Sequence, residues 1–184
     1  MEHKGTVKIE TERLILRRFE PGDISACFKN WMSDARVTEF LRWLPHESEA
    51  ETARILNMWI DFYKNPPFYQ WAIVPKALGE PIGSISVVGV KEKTETLHIG
   101  YCIGFDWWGN GYTSEALAAI IKFFFENVGA MRIESQCDPE NPASGRVMEK
   151  CGMKYEGTLR KADFSNRGIV DARMYAILAE DYGK

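Results

Sequence analysis

The sequence predicts one α/β domain, in which helices flank a central, mixed but largely antiparallel sheet. The first observation is size, because 184 residues with 45% hydrophobic and 27% charged side chains suit one domain with a single substantial core. The second is continuity, because no repeat, low-complexity tract or linker interrupts residues 1–184. The third is the order of elements: a strand, helices, a meander of strands, then strand–helix units.

The first third of the chain is predicted to hold a strand and two helices. They are a strand over Leu14–Phe19, a helix from the Pro21-Gly22-Asp23 turn to about Ser33, and a helix from Ser48 to near Lys64. Ser48 is followed three residues later by Glu51, which is the spacing of a capping box. Pro66 and Pro67 then end the second helix.

The remaining two thirds alternate between apolar strand-like runs and helical patterns. The predicted strands are Tyr69–Val74, Ile82–Val90, Thr96–Ile103 and Met131–Cys137, followed by two more that end near Leu178. Apolar residues recur at helical spacing from Leu117 to Val128, so a long buried helix is predicted there. A short helix is predicted over Ala143–Cys151.

Composition disfavours several classes of protein. A net charge of −3 argues against broad nucleic-acid binding, which needs a basic face. The four cysteines form no C-x-x-C pair and the three histidines are scattered, so no metal site is expected. No signal peptide or membrane-spanning run is found, and we expect a cytoplasmic protein with reduced thiols and no membrane partner. Either a monomer or a homodimer is compatible with the sequence.

A glycine-containing loop before the long helix is the strongest local signal. It runs from Trp107 to Leu117, and Gly109 and Gly111 allow the backbone to approach an anion closely. The following helix N-terminus offers unpaired N–H groups and partial positive charge, which together favour phosphate. No Lys follows the glycines, so the loop differs from that of nucleotide triphosphatases. An ordinary glycine turn with a Thr113 or Ser114 cap is the structural alternative.

Three motifs, in order, resemble those of a known family. Residues Ile99–Leu117 resemble the pyrophosphate-binding motif of the GNAT acetyltransferase superfamily, and Asp138–Met153 is similar to its second signature. Thr11–Arg17 is similar to the branch that includes the Rim-type ribosomal-protein N-terminal acetyltransferases. The chain departs from the family at Trp108 and Thr113, where backbone amides rather than side chains are expected to contact phosphate.

The resemblance implies that acetyl-CoA is the cosubstrate. Its pyrophosphate is expected on the loop amides and its pantetheine arm along the edge of the Thr96–Ile103 strand. The implied cofactor-binding residues are Tyr101, Cys102, Ile103, Trp108, Gly109, Asn110, Gly111, Tyr112, Thr113, Ser114, Asn141 and Arg146. Arg146 and Lys150, four residues apart on one helical face, could meet the CoA 3′-phosphate or be solvated charges.

The candidate catalytic residues are Ser144, His98 and Asn141. Many relatives place a Tyr acid where this chain has Met148, and the Rim-type resemblance gives Ser144 a role near the CoA sulfur. Helix capping is the alternative for both Ser144 and Asn141. His98 stands where relatives often carry a Glu, and it is either the base that takes the amine proton or a solvated sheet residue.

The resulting hypothesis is direct transfer of acetyl from acetyl-CoA to a primary amine, without a covalent enzyme intermediate. The acceptor is a protein N-terminus, such as that of a ribosomal protein, or a small-molecule amine. It is expected to enter across the helices between Asp23 and Lys64, where the loop Trp43–His46 could line a cleft. The alternative, favoured by Met148, is a non-catalytic module that only binds acyl-CoA.

Overall fold

One sheet extends through the protein in the computed structural model, which describes residues 1–183. Its eight strands lie in the order β1-β2-β3-β4-β5-β6-β8-β7. The strands are β1 (Ile9–Glu10), β2 (Leu14–Arg17), β3 (Gln70–Pro75), β4 (Gly83–Lys91), β5 (Thr96–Ile103), β6 (Arg132–Cys137), β7 (Lys154–Ser165) and β8 (Gly168–Leu178). Every neighbouring pair is antiparallel except β5–β6, which confirms the predicted mixed sheet.

Helices cover both faces of this sheet. They are α1 (Ile24–Cys27), α2 (Ala35–Thr38), α3 (Glu49–Phe62), α4 (Tyr112–Phe123) and α5 (Pro142–Lys150). The predicted helix from Pro21 is a composite, because a 3-10 turn precedes α1 and a π-helical turn, Phe28–Met32, follows it. A second π-helical turn continues α4 as far as Val128, where Gly129 ends it in the left-handed conformation.

Two separate cores hold the layers together. The larger core packs α4 and α5 on one sheet face through buried side chains such as Leu117, Ile120 and Met148. The smaller core packs α1 to α3 on the opposite face around Trp31, Leu56 and Ala72. The sheet is therefore covered on both faces, and a cavity that reaches both helical layers has to cross it.

The predicted elements agree closely with those observed, and the differences have local causes. The two-residue β1 and four-residue α2 are too short to show periodicity and were not predicted. Ser48 caps α3 by accepting from the Glu51 amide, but the Glu51 carboxylate accepts from the Glu47 amide, so the capping box is shifted by one residue. Phe62, at the C-terminal end of α3, is 43% exposed and packs on Phe68.

Candidate active site

A cavity of about 760 Å³ passes through the sheet where β5 and β6 separate. These strands pair only as far as His98 and Glu134, so the β6-facing edge of β5 beyond that point is open to the cavity. Side chains alternate along a strand, so His98 and Cys102 face the α1–α3 layer while Tyr101 faces α4 and α5. The cavity thus connects groups on opposite faces of one strand.

The glycine loop borders one end of this cavity. Gly109 and Gly111 have φ values of +77° and +79°, a region that glycine enters without steric cost. Gly111 is the N-cap of α4, so the amides of the first turn are free of helical partners. Among the predicted loop residues, Trp108, Gly109, Gly111, Thr113 and Ser114 line the cavity. Asn110 and Tyr112 do not line it, and a contact of these two residues with the cofactor stays a prediction.

The segment between β1 and β2 supports this loop through an ion pair between Arg13 and Glu115, which is called the brace from here on. Thr11 Oγ1 donates to Glu115 Oε1 at 2.6 Å, and Arg13 Nε donates to Glu115 Oε2 at 2.6 Å. Arg13 Nη1 also donates to the Asn110 carbonyl at 3.0 Å, and its guanidinium lies over the Tyr112 ring. Reasoning from the sequence gave the Thr11–Arg17 motif no structural role. The ion pair ties the loop to the first turn of α4, beside the predicted phosphate site.

The open edge of β5 lies next to the loop. Tyr101, Cys102 and Ile103 all line the cavity, as the resemblance implied for the pantetheine arm. Trp108 Nε1 donates to the Ile103 carbonyl at 2.9 Å and so ties the loop to the end of this strand. Ser135 Oγ donates to the Ile99 carbonyl at 2.8 Å, which satisfies one carbonyl where the strands begin to diverge.

Tyr101, Asn141 and Ser144 form a hydrogen-bonded group on the α5 side. Asn141 Oδ1 accepts from the Ser144 amide at 3.2 Å, so Asn141 is the N-cap of α5 and the Ser144 hydroxyl is not needed for capping. That hydroxyl lies 3.0 Å from the Tyr101 hydroxyl, which donates to the Ser144 carbonyl at 2.9 Å. Burial raises the pKa of Tyr101, so the phenol keeps its proton. Reasoning from the sequence missed this tyrosine hydroxyl.

His98 lies on the other sheet face and is joined to a buried carboxylate. Its side chain lines the cavity, and Nδ1 is 3.6 Å from Glu134 Oε1. Glu134 is also held by Lys91 Nζ at 2.7 Å and Arg132 Nε at 3.0 Å. Burial lowers the pKa of His98, and Glu134 offsets this only partly. His98 is therefore a cavity residue that is mostly neutral at pH 7, with Nε2 as the ring nitrogen farther from the carboxylate.

Helix α5 turns a polar stripe toward the cavity. Arg146 and Lys150, the candidates for the CoA 3′-phosphate, both line it, as does Val147. Met148 is fully buried in the larger core, so the position where many relatives carry an acid faces away from the cavity here. The thiol of Cys137 also borders the cavity, but burial raises its pKa to about 11, which disfavours the nucleophilic thiolate.

The α1–α3 layer forms the far end of the cavity. Trp43 and His46 line it, in agreement with the expectation that the loop Trp43–His46 could line a cleft. His46 is buried and its Nδ1 lies 2.8 Å from Thr52 Oγ1; burial lowers its pKa. Residues 1–183 contain no group of three or more His, Cys, Asp or Glu side chains arranged to hold a metal ion. Over the same range, no helix combines the length and apolar character that crossing a bilayer requires.

Comparison with known proteins agrees with this geometry. Residues 13–154 match the acetyltransferase (GNAT) domain family. The chain is 31% identical over 175 residues to the uncharacterized N-acetyltransferase YnaD of Bacillus subtilis, covering 95% of this chain and 98% of that protein. The crystal structure of a GNAT-family acetyltransferase from Bacillus anthracis superposes with a TM-score of 0.82 at 30% identity, covering 95% and 99%.

A third similar structure is that of RimL, a ribosomal L7/L12 alpha-N-protein acetyltransferase in complex with coenzyme A. It superposes with a TM-score of 0.83 at 22% identity and covers 94% of this chain and 98% of that one. The likeness to RimL concerns the fold. The family match covers most of the chain, and residues of the Ile99–Leu117 and Asp138–Met153 motifs line one cavity. The chain therefore belongs to the GNAT family of acetyltransferases.

Proposed function

We propose that this protein transfers an acetyl group from acetyl-CoA directly to a primary amine. The observation that carries the proposal is the cavity that crosses the sheet, because it joins the glycine loop on one face to His98 on the other. Two substrates that enter from opposite faces can meet at the gap between β5 and β6. Acetyl-CoA supplies the activated acetyl group as a thioester, and no covalent enzyme intermediate is needed.

Acetyl-CoA is proposed to bind on the α4–α5 face. The amides at the start of α4 would hold the pyrophosphate, and the brace between Arg13 and Glu115 would hold that turn in place. The open edge of β5 from Tyr101 to Ile103 would pair with the amide groups of the pantetheine arm. Arg146 and Lys150 are the cations available to the 3′-phosphate. One domain is proposed to perform the whole reaction.

His98 is proposed to remove the proton that the amine must lose before attack. A neutral imidazole with a pKa below 6.5 is available as a base at pH 7, and the Glu134 carboxylate stabilises the imidazolium that forms.

Ser144 is proposed to give a hydrogen bond to the departing sulfur on the other face. As the Ser144 hydroxyl donates toward the thiolate, the Tyr101 hydroxyl can turn its proton from the Ser144 carbonyl to Ser144 Oγ, since both lie within 3.0 Å. Tyr101 would then act as a positioning residue that supports the serine. Asn141 holds the first turn of α5 in place and lines the same part of the cavity.

The proposal is tested by measuring thiol release from acetyl-CoA with a panel of amines and N-terminal peptides, beside a direct titration of CoA binding. Release that depends on an amine supports acetyl transfer. Tight CoA binding without release from any acceptor in the panel would support the binding-module alternative.

Replacing Ser144 with Ala should lower kcat by roughly 10- to 100-fold, the effect of losing a hydrogen bond to a developing charge. The dissociation constant for acetyl-CoA should change little, because the Asn141 cap uses the Ser144 amide. Steady-state rates give kcat and a direct titration gives the dissociation constant for acetyl-CoA, so the two effects are measured separately. Ser25→Ala, which removes a hydroxyl bonded to Glu49 far from the cavity, is the control. Unchanged turnover in Ser144→Ala would show that the reaction does not need a hydrogen bond from the Ser144 hydroxyl to the departing sulfur.

Replacing Glu134 with Gln should shift the acid limb of the kcat–pH profile to lower pH. Glu134 raises the pKa of His98, while burial and the charges of Lys91 and Arg42 lower it. Removing the carboxylate leaves only the lowering contributions, so the imidazole pKa falls further. The same acceptor is used for every protein, so the titration of the acceptor amine affects all the pH profiles equally and does not alter the difference between them. Glu92→Gln, at an exposed carboxylate paired with His3, is the matched control; identical acid limbs in both variants would exclude His98 as the titrating base.

The proposed place of action is the cytoplasm, since all four cysteines are free and a reducing compartment keeps them so. The proposed partner is the amine acceptor, with no nucleic acid or membrane, and the protein acts as a monomer or homodimer. The Rim-type resemblance of Thr11–Arg17 favours a protein N-terminus as acceptor, whereas the apolar wall of the cavity favours a small molecule.

A further inference from the structure

We infer that the acceptor is a small amine with an apolar, preferably aromatic, body; this inference rests on the proposed function. The α1–α3 side of the cavity, called the acceptor chamber here, is walled by Phe40, Leu41, Trp43, Met58 and Trp59. These side chains come from α3 and from the segment between α2 and α3. A chamber with such walls gains binding free energy by removing apolar ligand surface from water.

The sheet floor of the chamber carries several polar groups. Ser84, Ser86 and Gln70 lie on neighbouring strands and line the cavity, and His98 lies at the edge next to the gap. The register places Ser86 opposite both Gln70 and Gly100. An amine directed at His98 would therefore stand on a polar floor with its carbon skeleton against the aromatic wall.

The charges near the chamber are already neutralised by one another. Arg42 Nη2 donates to Asp163 Oδ1 at 2.6 Å, and Asp163 also accepts from Gln136. Burial keeps His46 below its ordinary pKa, so it is mostly neutral at pH 7. Asp138, the other carboxylate that lines the cavity, has its Oδ2 3.5 Å from Arg167 Nη1. Both carboxylates are therefore paired with arginines, and the ligand is recognised by its apolar surface instead.

The tip of the β7–β8 hairpin bridges the chamber. Asn166 donates its backbone amide to the Leu41 carbonyl at 2.9 Å and its side-chain amide to the Thr38 and Trp43 carbonyls at 2.9 and 2.7 Å. Arg167 extends the bridge to Glu140 and Asp138. Leu41 and Trp43 at one end of this bridge and Asp138 at the other line the cavity, which also has to hold the cofactor arm. A small amine fits that space, whereas a protein N-terminus has to insert its chain under the bridge.

The test compares 2-phenylethylamine with ethylamine, and with peptides that begin in Ala or Ser, in the thiol-release assay. Burial of one aromatic ring predicts a kcat/KM about 10- to 100-fold higher for 2-phenylethylamine than for ethylamine. Trp43→Ala should remove most of this preference. Leu44→Ala, the neighbouring residue, which is 72% exposed and outside the cavity lining, should keep it. A CoA titration on each variant shows that the cofactor site is intact.

The possible contrary results distinguish between the acceptor, the aromatic wall and the acetyl transfer itself. Equal rates for the two small amines, or a clear preference for the peptides, would overturn the small aromatic acceptor and leave acetyl transfer standing. A preference that survives Trp43→Ala would overturn the role of the aromatic wall. CoA binding without release from any of these acceptors would contradict the proposed transfer itself, and the acceptor inference with it.

Discussion

Gly111→Val is expected to raise the dissociation constant for acetyl-CoA by about 10- to 100-fold. Gly111 has φ +79° and caps α4, so a β-branched residue there is strained and has to rotate the first-turn amides away from the phosphate. A Cβ at this position would also lie 3.5 Å from Arg13 Nη2, and the valine methyl groups would press on the brace. The measurement is a direct titration of acetyl-CoA.

Gly79→Val is the matched control for this effect. Gly79 has φ +76° in the turn after β3, with no atom within 4 Å of an added Cβ, and it lies outside the cavity lining. It should lose stability through backbone strain but keep the affinity for acetyl-CoA. If the two variants bound acetyl-CoA equally well, the glycine loop would not be the pyrophosphate site.

His98→Gln is expected to lower kcat by about 100- to 10,000-fold, which is the range for loss of a general base. Glutamine keeps a polar side chain in the cavity, but it cannot accept the proton of an ammonium. The affinity for acetyl-CoA should be unchanged, because His98 faces the α1–α3 layer and the glycine loop borders the opposite end of the cavity. The acid limb that His98 gives to the pH profile should also disappear.

His3→Gln controls for the general cost of replacing a histidine. His3 bonds to the Tyr69 hydroxyl at 3.1 Å and to Glu92 at 2.8 Å, outside the cavity lining. Its replacement should leave kcat and the pH profile as they are. A His98→Gln enzyme with near-normal kcat would mean that the amine loses its proton to water or to another group.

Much of the fold could be predicted because its elements are long and periodic. The strand over Thr96–Ile103 is observed with the predicted bounds, and the Leu117–Val128 stripe lies within α4 and its π-helical extension. Gly109 and Gly111 were identified as loop glycines because only that residue type enters the left-handed region freely. These features depend on local sequence.

The features that could not be predicted depend on pairing between distant residues. Arg13 and Glu115 are 102 residues apart in sequence, and nothing near either residue indicates the brace. Glu134 meets His98 only because β5 and β6 pair in parallel in one particular register. The Tyr101 hydroxyl becomes relevant only when α5 packs over β5 and brings Ser144 to it. Each of these contacts is set by tertiary packing.

Direct transfer between two bound substrates is tested most directly by two-substrate initial rates, with mass spectrometry of both the acceptor and the protein. The geometry predicts intersecting double-reciprocal lines, an acetylated amine and an unmodified protein, because the substrates meet at the gap between β5 and β6. Parallel lines together with an acetylated cysteine on the protein would contradict this account and indicate a covalent acetyl-enzyme.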